Sequence, residues 1–213
     1  MGKIFAIGDI HGCRGMLVDL IKKINPAPTE DTLVFIGDYI DRGRDSKGVV
    51  DLIIDIKKTV KNVVCLKGNH ESMFLNYYLH GVDEMLFLEN GGRETLLSYG
   101  DPGLWYEKRV RIPENHEQFF KALQLYYETD EYIFVHAGLR PGIPLEKQDE
   151  EDMLWIRREF IDSSYNFGKR VVFGHTPMPG LRIDKTKIGI DTGAVYGGKL
   201  TCIMLPDMEI FQV

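Results

Sequence analysis

Five stretches of this chain run apolar for several residues and then stop on a side chain that can hold a cation or carry a proton. They read KIFAIGDIHG (residues 3–12), TLVFIGDYIDRG (32–43), NVVCLKGNHE (62–71), YIFVHAGLRP (132–141) and RVVFGHTP (170–177). Parallel strands deliver their C-terminal ends to one edge of a sheet, where open sheets bind ligands. Five such ends gather Asp9, His11, Asp38, Asn69, His70, His136 and His175 in one crevice. Four of the six histidines obey this pattern, whereas His80 and His116 fall in helical or loop stretches and read as surface residues. The donors are imidazole nitrogen, carboxylate oxygen and amide oxygen, with no thiolate. That set suits octahedral or five-coordinate Mn, Fe, Co or Zn rather than a structural cysteine–zinc site. Six ligands with an aspartate able to bridge fit two divalent ions about 3.5–4 Å apart, an arrangement that serves displacement at phosphorus.

The elements that must position these residues follow from the hydrophobic pattern. Residues 3–7, 32–36 and 63–66 read as strands, and 14–24, 46–58 and 71–79 as helices, because short Val/Ile/Phe-rich runs alternate with apolar residues at helical spacing. This βαβα order predicts a largely parallel sheet. Residues 82–112 break the rhythm and read as a helical insertion. A helix over 114–127, a strand over 132–135, a loop at 141–150 and a short helix around 152–160 follow. The last forty or so residues hold strand-like runs at 170–173, 187–190, 200–205 and 209–213, with Pro206-Asp207 as a hairpin turn. No helix separates them, so they predict a second, mostly antiparallel sheet. The expected fold class is α/β (α+β): two mixed β-sheets packed face to face with flanking helices, as a single domain over 1–213.

Composition narrows the partners. A length of 213 residues suits one domain. The formal charge of −6 argues against a nucleic-acid polymer. No apolar run approaches the roughly 18 residues of a membrane helix. Residues 1–7 begin like a signal sequence but meet Gly8-Asp9 with no cleavage-type tail, so they read as a first strand. Cys13, Cys65 and Cys202 lack paired spacing, which points to a reducing, cytoplasmic setting. Nothing in the motifs demands a second copy of the chain.

In this order, GDIHG, GDYIDRG, GNHE, HAG and GH resemble the calcineurin-like metallophosphoesterases. The Asp-Arg-Gly that follows the second motif resembles the phosphoprotein phosphatase branch, which includes bacterial and phage serine/threonine phosphatases and symmetrical diadenosine tetraphosphatases. The segments HAGLRPG and LWIRREF are similar to compact bacterial members of that branch. The resemblance implies a four-layer sandwich and two divalent ions, manganese foremost. Asp9, His11 and Asp38 would hold one ion; Asp38, Asn69, His136 and His175 would hold the other, with Asp38 bridging. A hydroxide between the ions would attack phosphorus in line. His70 would protonate the leaving oxygen, Asp41 would fix the His70 tautomer, and Arg42 would clamp the phosphoryl oxygens. A second clamp falls after the HAG motif, on Arg157 first, then Arg140, then Arg158. GIDTGAVYGG (189–198) resembles a loop beside the site, with Tyr196 reaching towards substrate.

Three functions follow. The first is hydrolysis of phosphoserine or phosphothreonine monoesters, in a phosphoprotein or a small phosphoester. The second is symmetrical hydrolysis of a dinucleoside tetraphosphate, with Tyr77, Tyr78, Trp105 or Tyr106 as an aromatic platform for the base. The third, an inactive phosphate-binding module, is disfavoured because every position needed for turnover carries a suitable residue.

Overall fold

The computed structural model describes residues 2–100 and 110–213. Strands β1 (Ile4–Ile7), β2 (Thr32–Phe35) and β3 (Asn62–Cys65) pair in parallel. A second sheet holds β4 (Tyr126–Glu128), β5 (Tyr132–Val135), β6 (Arg170–Phe173), β7 (Arg182–Ile183) and β8 (Lys187–Gly189), in the order β4-β5-β6-β8-β7. The chain then returns to the first sheet with β9 (Thr201–Leu205) and β10 (Glu209–Gln212), giving the order β10-β9-β1-β2-β3. The described α-helices are α1 (Arg14–Ile24), α2 (Ser46–Thr59), α3 (Asn69–Leu75), α4 (Glu84–Phe87), α5 (Arg93–Ser98), α6 (Glu114–Lys121), α7 (Glu150–Trp155) and α8 (Arg158–Ile161).

Alternation along each strand builds the layers, because successive side chains point to opposite faces. Phe5, Ile7, Leu33 and Phe35 pack outward with Leu17, Leu20, Val49 and Ile53 of α1 and α2. Ala6 and Val34 point the other way and meet Phe134, Val172 and Ile188 of the second sheet. Ile133, Val135, Val171 and Phe173 turn to the far face, against Met153, Phe160 and Ile161 of α7 and α8. The order is helix, sheet, sheet, helix, which is the expected fold class.

The structure corrects the expected elements in four places. The second sheet is not mostly antiparallel: β5, β6 and β8 run parallel, with antiparallel partners only at the edges. The final hairpin belongs to the first sheet, where β9 lies antiparallel to β1. The helix expected over 114–127 stops at Lys121, because the backbone of Gln124 pairs with Cys65 and Lys67 beyond β3. Tyr126 and Tyr127 then alternate between two core layers, as strand residues do. The helix expected around 152–160 is broken at Arg157, whose φ and ψ are −127° and −101°.

His116 is not a surface residue. On α6 it shares an inward face with Phe119 and Phe120 and is fully buried. Its Nε2 lies 2.8 Å from Asp51 Oδ1 and its Nδ1 2.8 Å from the Tyr99 hydroxyl. His80 is exposed. Residues 82–100 form α4, a wider helical turn at Leu88–Gly92, and α5; Trp105 and Tyr106 lie outside the described residues.

Candidate metal centre and active site

Six parallel strand ends meet at one edge of the two sheets. Asp9 and His11 follow β1, Asp38 follows β2, Asn69 and His70 follow β3, His136 follows β5, His175 follows β6, and Asp191 follows β8. Seven of these eight are the expected crevice residues, and all eight are buried. Asp191 is the residue not expected from sequence, although it obeys the same strand-end rule at the close of the run KIGID.

Asp38 divides the donors into two sets. Its Oδ2 lies 3.4 Å from His11 Nε2 and 4.0 Å from His70 Nε2, while its Oδ1 lies 3.4 Å from His136 Nε2. Two groups of donor atoms within 4.8 Å of one another result: His11, Asp38 and His70, and Asp38, His136 and His175. Asn69 Oδ1 joins the second group, 3.0 Å from both His136 Nε2 and His175 Nδ1. Asp9 is tied to the backbone of the second group, its Oδ2 accepting the His175 N–H at 2.9 Å.

Several features show that these donors suit cations. His11 and His136 give their Nδ1 protons to the Ile40 and Ile36 carbonyls at 2.8 and 3.0 Å, so each Nε2 presents a lone pair to the centre. His136 Nε2 and Asn69 Oδ1 thus face each other as two acceptors, a contact that a positive ion between them reconciles. The Arg42 guanidinium stands in as a cation at His11 Nε2, 2.6 Å away. Asp9 Oδ1, His70 Nε2 and His175 Nε2 are buried polar atoms with no protein partner among the described residues.

Burial sets the protonation of these groups. Burial, and next the Arg42 charge, push His11 down to about 3, and burial pushes His136 down to about 3 against its bond to Ile36. Both rings are therefore neutral, the form that binds metal. Burial raises Asp9 and Asp38 well above the usual carboxylate range, and neighbouring carboxylates add to it, Asp191 for Asp9 and Glu71 for Asp38.

Backbone strain collects in the same place. Among the described residues eight non-glycine positions have positive φ, and five of them are His11, Asp38, Asp41, Arg42 and His175. Such conformations cost of order 1–3 kcal/mol each and persist where surrounding contacts fix them. Glu71 is one such contact: its carboxylate accepts the N–H groups of Asp38, Tyr39 and Gly68 at 2.8–2.9 Å and of Ile40 at 3.4 Å. The chemistry of GNHE therefore differs from residue to residue; its glutamate shapes the loop rather than facing the centre. At Gly68 an added Cβ would lie 2.1 Å from Asp38 Oδ1, so the close approach itself requires glycine.

His70 donates from Nδ1 to Asp41 Oδ2 at 2.7 Å, both side chains being buried. Burial, then the charges of His11 and Arg42, hold this imidazole well below its usual range. The hydrogen bond to Asp41 Oδ2 favours the protonated ring against that burial, while burial raises Asp41 itself and its bond from Thr95 opposes the rise. Arg42 also packs over Tyr196, with Cζ 5.6 Å from the ring centroid, and Tyr196 is 62% exposed at the rim. Arg157 reaches inward from the break between α7 and α8, to the His175 carbonyl at 3.4 Å and Thr176 Oγ1 at 3.3 Å. Arg140 is instead engaged with Asp152, Nε to Oδ2 at 2.5 Å, on an exposed face. Arg158 is exposed on α8. Tyr77 stacks on Phe87 and Tyr78 on Phe74, so both half-buried rings pack against the core beside α3.

This centre and fold define a class. The chain belongs to the calcineurin-like phosphoesterase family, whose model matches residues 2–202. It is 29% identical to a bis(5'-nucleosyl)-tetraphosphatase PrpE, designated asymmetrical, from Bacillus cereus strain Q1, over 97% of this chain and 92% of that one. The crystal structure of a candidate diadenosine tetraphosphatase superposes with TM-score 0.78 at 26% identity, covering 100% of this chain and 93% of the other. A serine/threonine phosphatase from Saccharomyces cerevisiae superposes with TM-score 0.66 at 17% identity, covering 100% and 79%, a likeness of fold. Members of the family use a dinuclear divalent metal centre, and the donor sets described above fit one. No helix among the described residues is long and apolar enough to cross a membrane.

Proposed function

We propose that this chain hydrolyses the phosphoanhydride of a dinucleoside polyphosphate, dividing it asymmetrically, with two divalent ions, manganese by preference. Asp9, His11 and Asp38 would hold one ion, and Asp38, Asn69, His136 and His175 the other. The observation that carries the phosphoryl-transfer reading is the Asp38 carboxylate shared between two sets of nitrogen donors. Ions bound there supply a water of lowered pKa and neutralise charge on the phosphoryl oxygens.

The chain's own groups do the rest. Arg42, at the centre's edge, and Arg157, facing the His175 backbone, bind and orient the phosphoryl oxygens through planar forks. His70 holds a proton at Nε2 for the leaving oxygen, while Asp41 keeps the other ring proton on Nδ1 and stabilises the imidazolium. Tyr196 extends the rim beside Arg42.

The asymmetrical dinucleotide reading is supported by relatives of that description, which align over nearly the whole of both chains. It differs from the second function expected from sequence, symmetrical cleavage, in which anhydride bond is broken. A second reading, hydrolysis of phosphoserine or phosphothreonine, is favoured by the His70–Asp41 pair itself. A departing alkoxide needs a proton far more than a departing phosphate, which is already a stable anion.

A manganese-loaded assay decides between them. With diadenosine tetraphosphate and a phosphoserine peptide as competing substrates, kcat/KM should favour the dinucleotide by more than about tenfold, roughly 1.4 kcal/mol of transition-state discrimination. Chromatography should show a nucleoside triphosphate and a monophosphate. Two diphosphates would overturn the asymmetry, and a preference for the peptide would install the second reading.

A further inference from the structure

The segment 82–100 touches the site at two points that the mechanism above leaves unused. Asp41 and Arg42 are consecutive non-glycine residues at φ 71° and 67°. Left-handed backbone is unfavourable for residues with a side chain, so contacts must hold the pair. The Arg42 N–H donates to the Gly91 carbonyl at 3.1 Å. The Asp41 N–H donates to Thr95 Oγ1 at 2.9 Å and to Ser46 Oγ at 3.1 Å. Thr95, fully buried on α5, returns its hydroxyl proton to Asp41 Oδ1 at 2.6 Å. The other oxygen of that carboxylate, Oδ2, is the one that meets His70 Nδ1.

We propose that Thr95 is a positioning residue for His70, fixing Asp41 Oδ1 so that Oδ2 faces the imidazole, and that α5 is thereby part of the active site. The proposal rests on the reading of His70 as the acid. Thr95 both donates to and accepts from Asp41, which leaves the carboxylate one orientation. Without the hydroxyl, the carboxylate can rotate and Oδ1 loses a buried donor. As the bond from phosphorus to the leaving oxygen breaks, the proton on His70 Nε2 moves to that oxygen, and the ring recovers a proton from the attacking water. A misaligned imidazole therefore slows reactions in proportion to the basicity of the leaving group.

The test is Thr95→Val, which keeps shape and loses both hydrogen bonds, and Thr95→Ser, which keeps the hydroxyl. Both are loaded with manganese and assayed on phosphate esters from nitrophenyl to alkyl. Thr95→Val should bind the wild-type quantity of manganese by elemental analysis. Its kcat should fall about tenfold or more on the alkyl ester and stay within about threefold on the nitrophenyl ester. Thr95→Ser should return to within about threefold of wild type on both. An equal loss along the series, no loss, or failure of serine to restore the alkyl rate would overturn the proposal. If the valine protein does not fold, Thr95→Ala is read along the same series. His70→Asn separates the role of His70 from that of Thr95. A flat response there removes His70 as the acid, whereas a steep response beside a flat Thr95→Val removes only Thr95.

Discussion

Asp38 sends one carboxylate oxygen to His11 and the other to His136, so its replacement should strike both ions at once. Asp38→Asn should retain at most one ion per chain by elemental analysis; two tightly held ions would refute the shared ligand. His70→Asn should keep its metal and lose turnover by a factor on the order of 10² on an alkyl phosphate ester. The arginines separate by their partners. Arg157→Ala should weaken inhibition by free phosphate several-fold, about 1 kcal/mol for a charge-assisted bond. Arg140→Ala should leave it unchanged, because Arg140 is committed to Asp152. Protonation gives a further check. His11 and His136 are neutral near pH 7, whereas burial shifts Asp9 and Asp38 upward, so protons compete with metal at the two carboxylates and leave on loading wherever they are held. Calorimetric titration of manganese in buffers of different ionisation enthalpy should show that release, diminishing as pH rises; heats independent of buffer would contradict it. At this scale the sequence was most legible for donors that end a strand, because position and chemistry coincide there. Glu71 and Thr95 were not legible as site residues, since each acts through hydrogen bonds to loops distant in sequence.

The loop after β2 depends on α3. Glu71, in the first turn of α3, gathers four backbone N–H groups from that loop and its own N-terminus. Glu71→Gln would turn an amide NH₂ towards donors that now point at an oxygen. A loss of about 1–3 kcal/mol is expected, read from urea unfolding, since a buried donor left without a partner costs that much; a loss below 0.5 kcal/mol would show that Glu71 does not fix the loop. Elements with strong period and nearby caps were legible, such as α2, where Asp45 caps the Gly48 N–H. Those decided by tertiary pairing were not. Residues 122–128 carry helical spacing, yet pairing of Gln124 beside β3 draws them into extended structure. His116 looked polar and exposed until α6 packed beside α2, where Asp51 supplies its partner.

Two sheets back to back bring the ends of β1, β2 and β3 over those of β5, β6 and β8, so the centre lies where the halves of the chain meet. Cations bound there tie the sheets together, and their removal should cost stability. At a free metal concentration about 100 times Kd, binding adds about 2.7 kcal/mol. A chelator should then lower Tm by roughly 5–10 °C for a protein of this size. The layers themselves were readable from alternating strands, whereas the return of the chain to the first sheet was not. Local pattern does not say which edge a late strand will join, and β9 finds β1 across nearly the full length of the chain.

The central claim is a pair of cations straddling Asp38 at the meeting of the strand ends. Anomalous diffraction at the manganese edge, from crystals grown in manganese, tests it most directly. Two peaks are expected about 3.5–4 Å apart, one beside His11 and Asp9, the other among Asn69, His136 and His175, with the Asp38 carboxylate between them. No peak at Asp38, or ions bound only elsewhere, would contradict it.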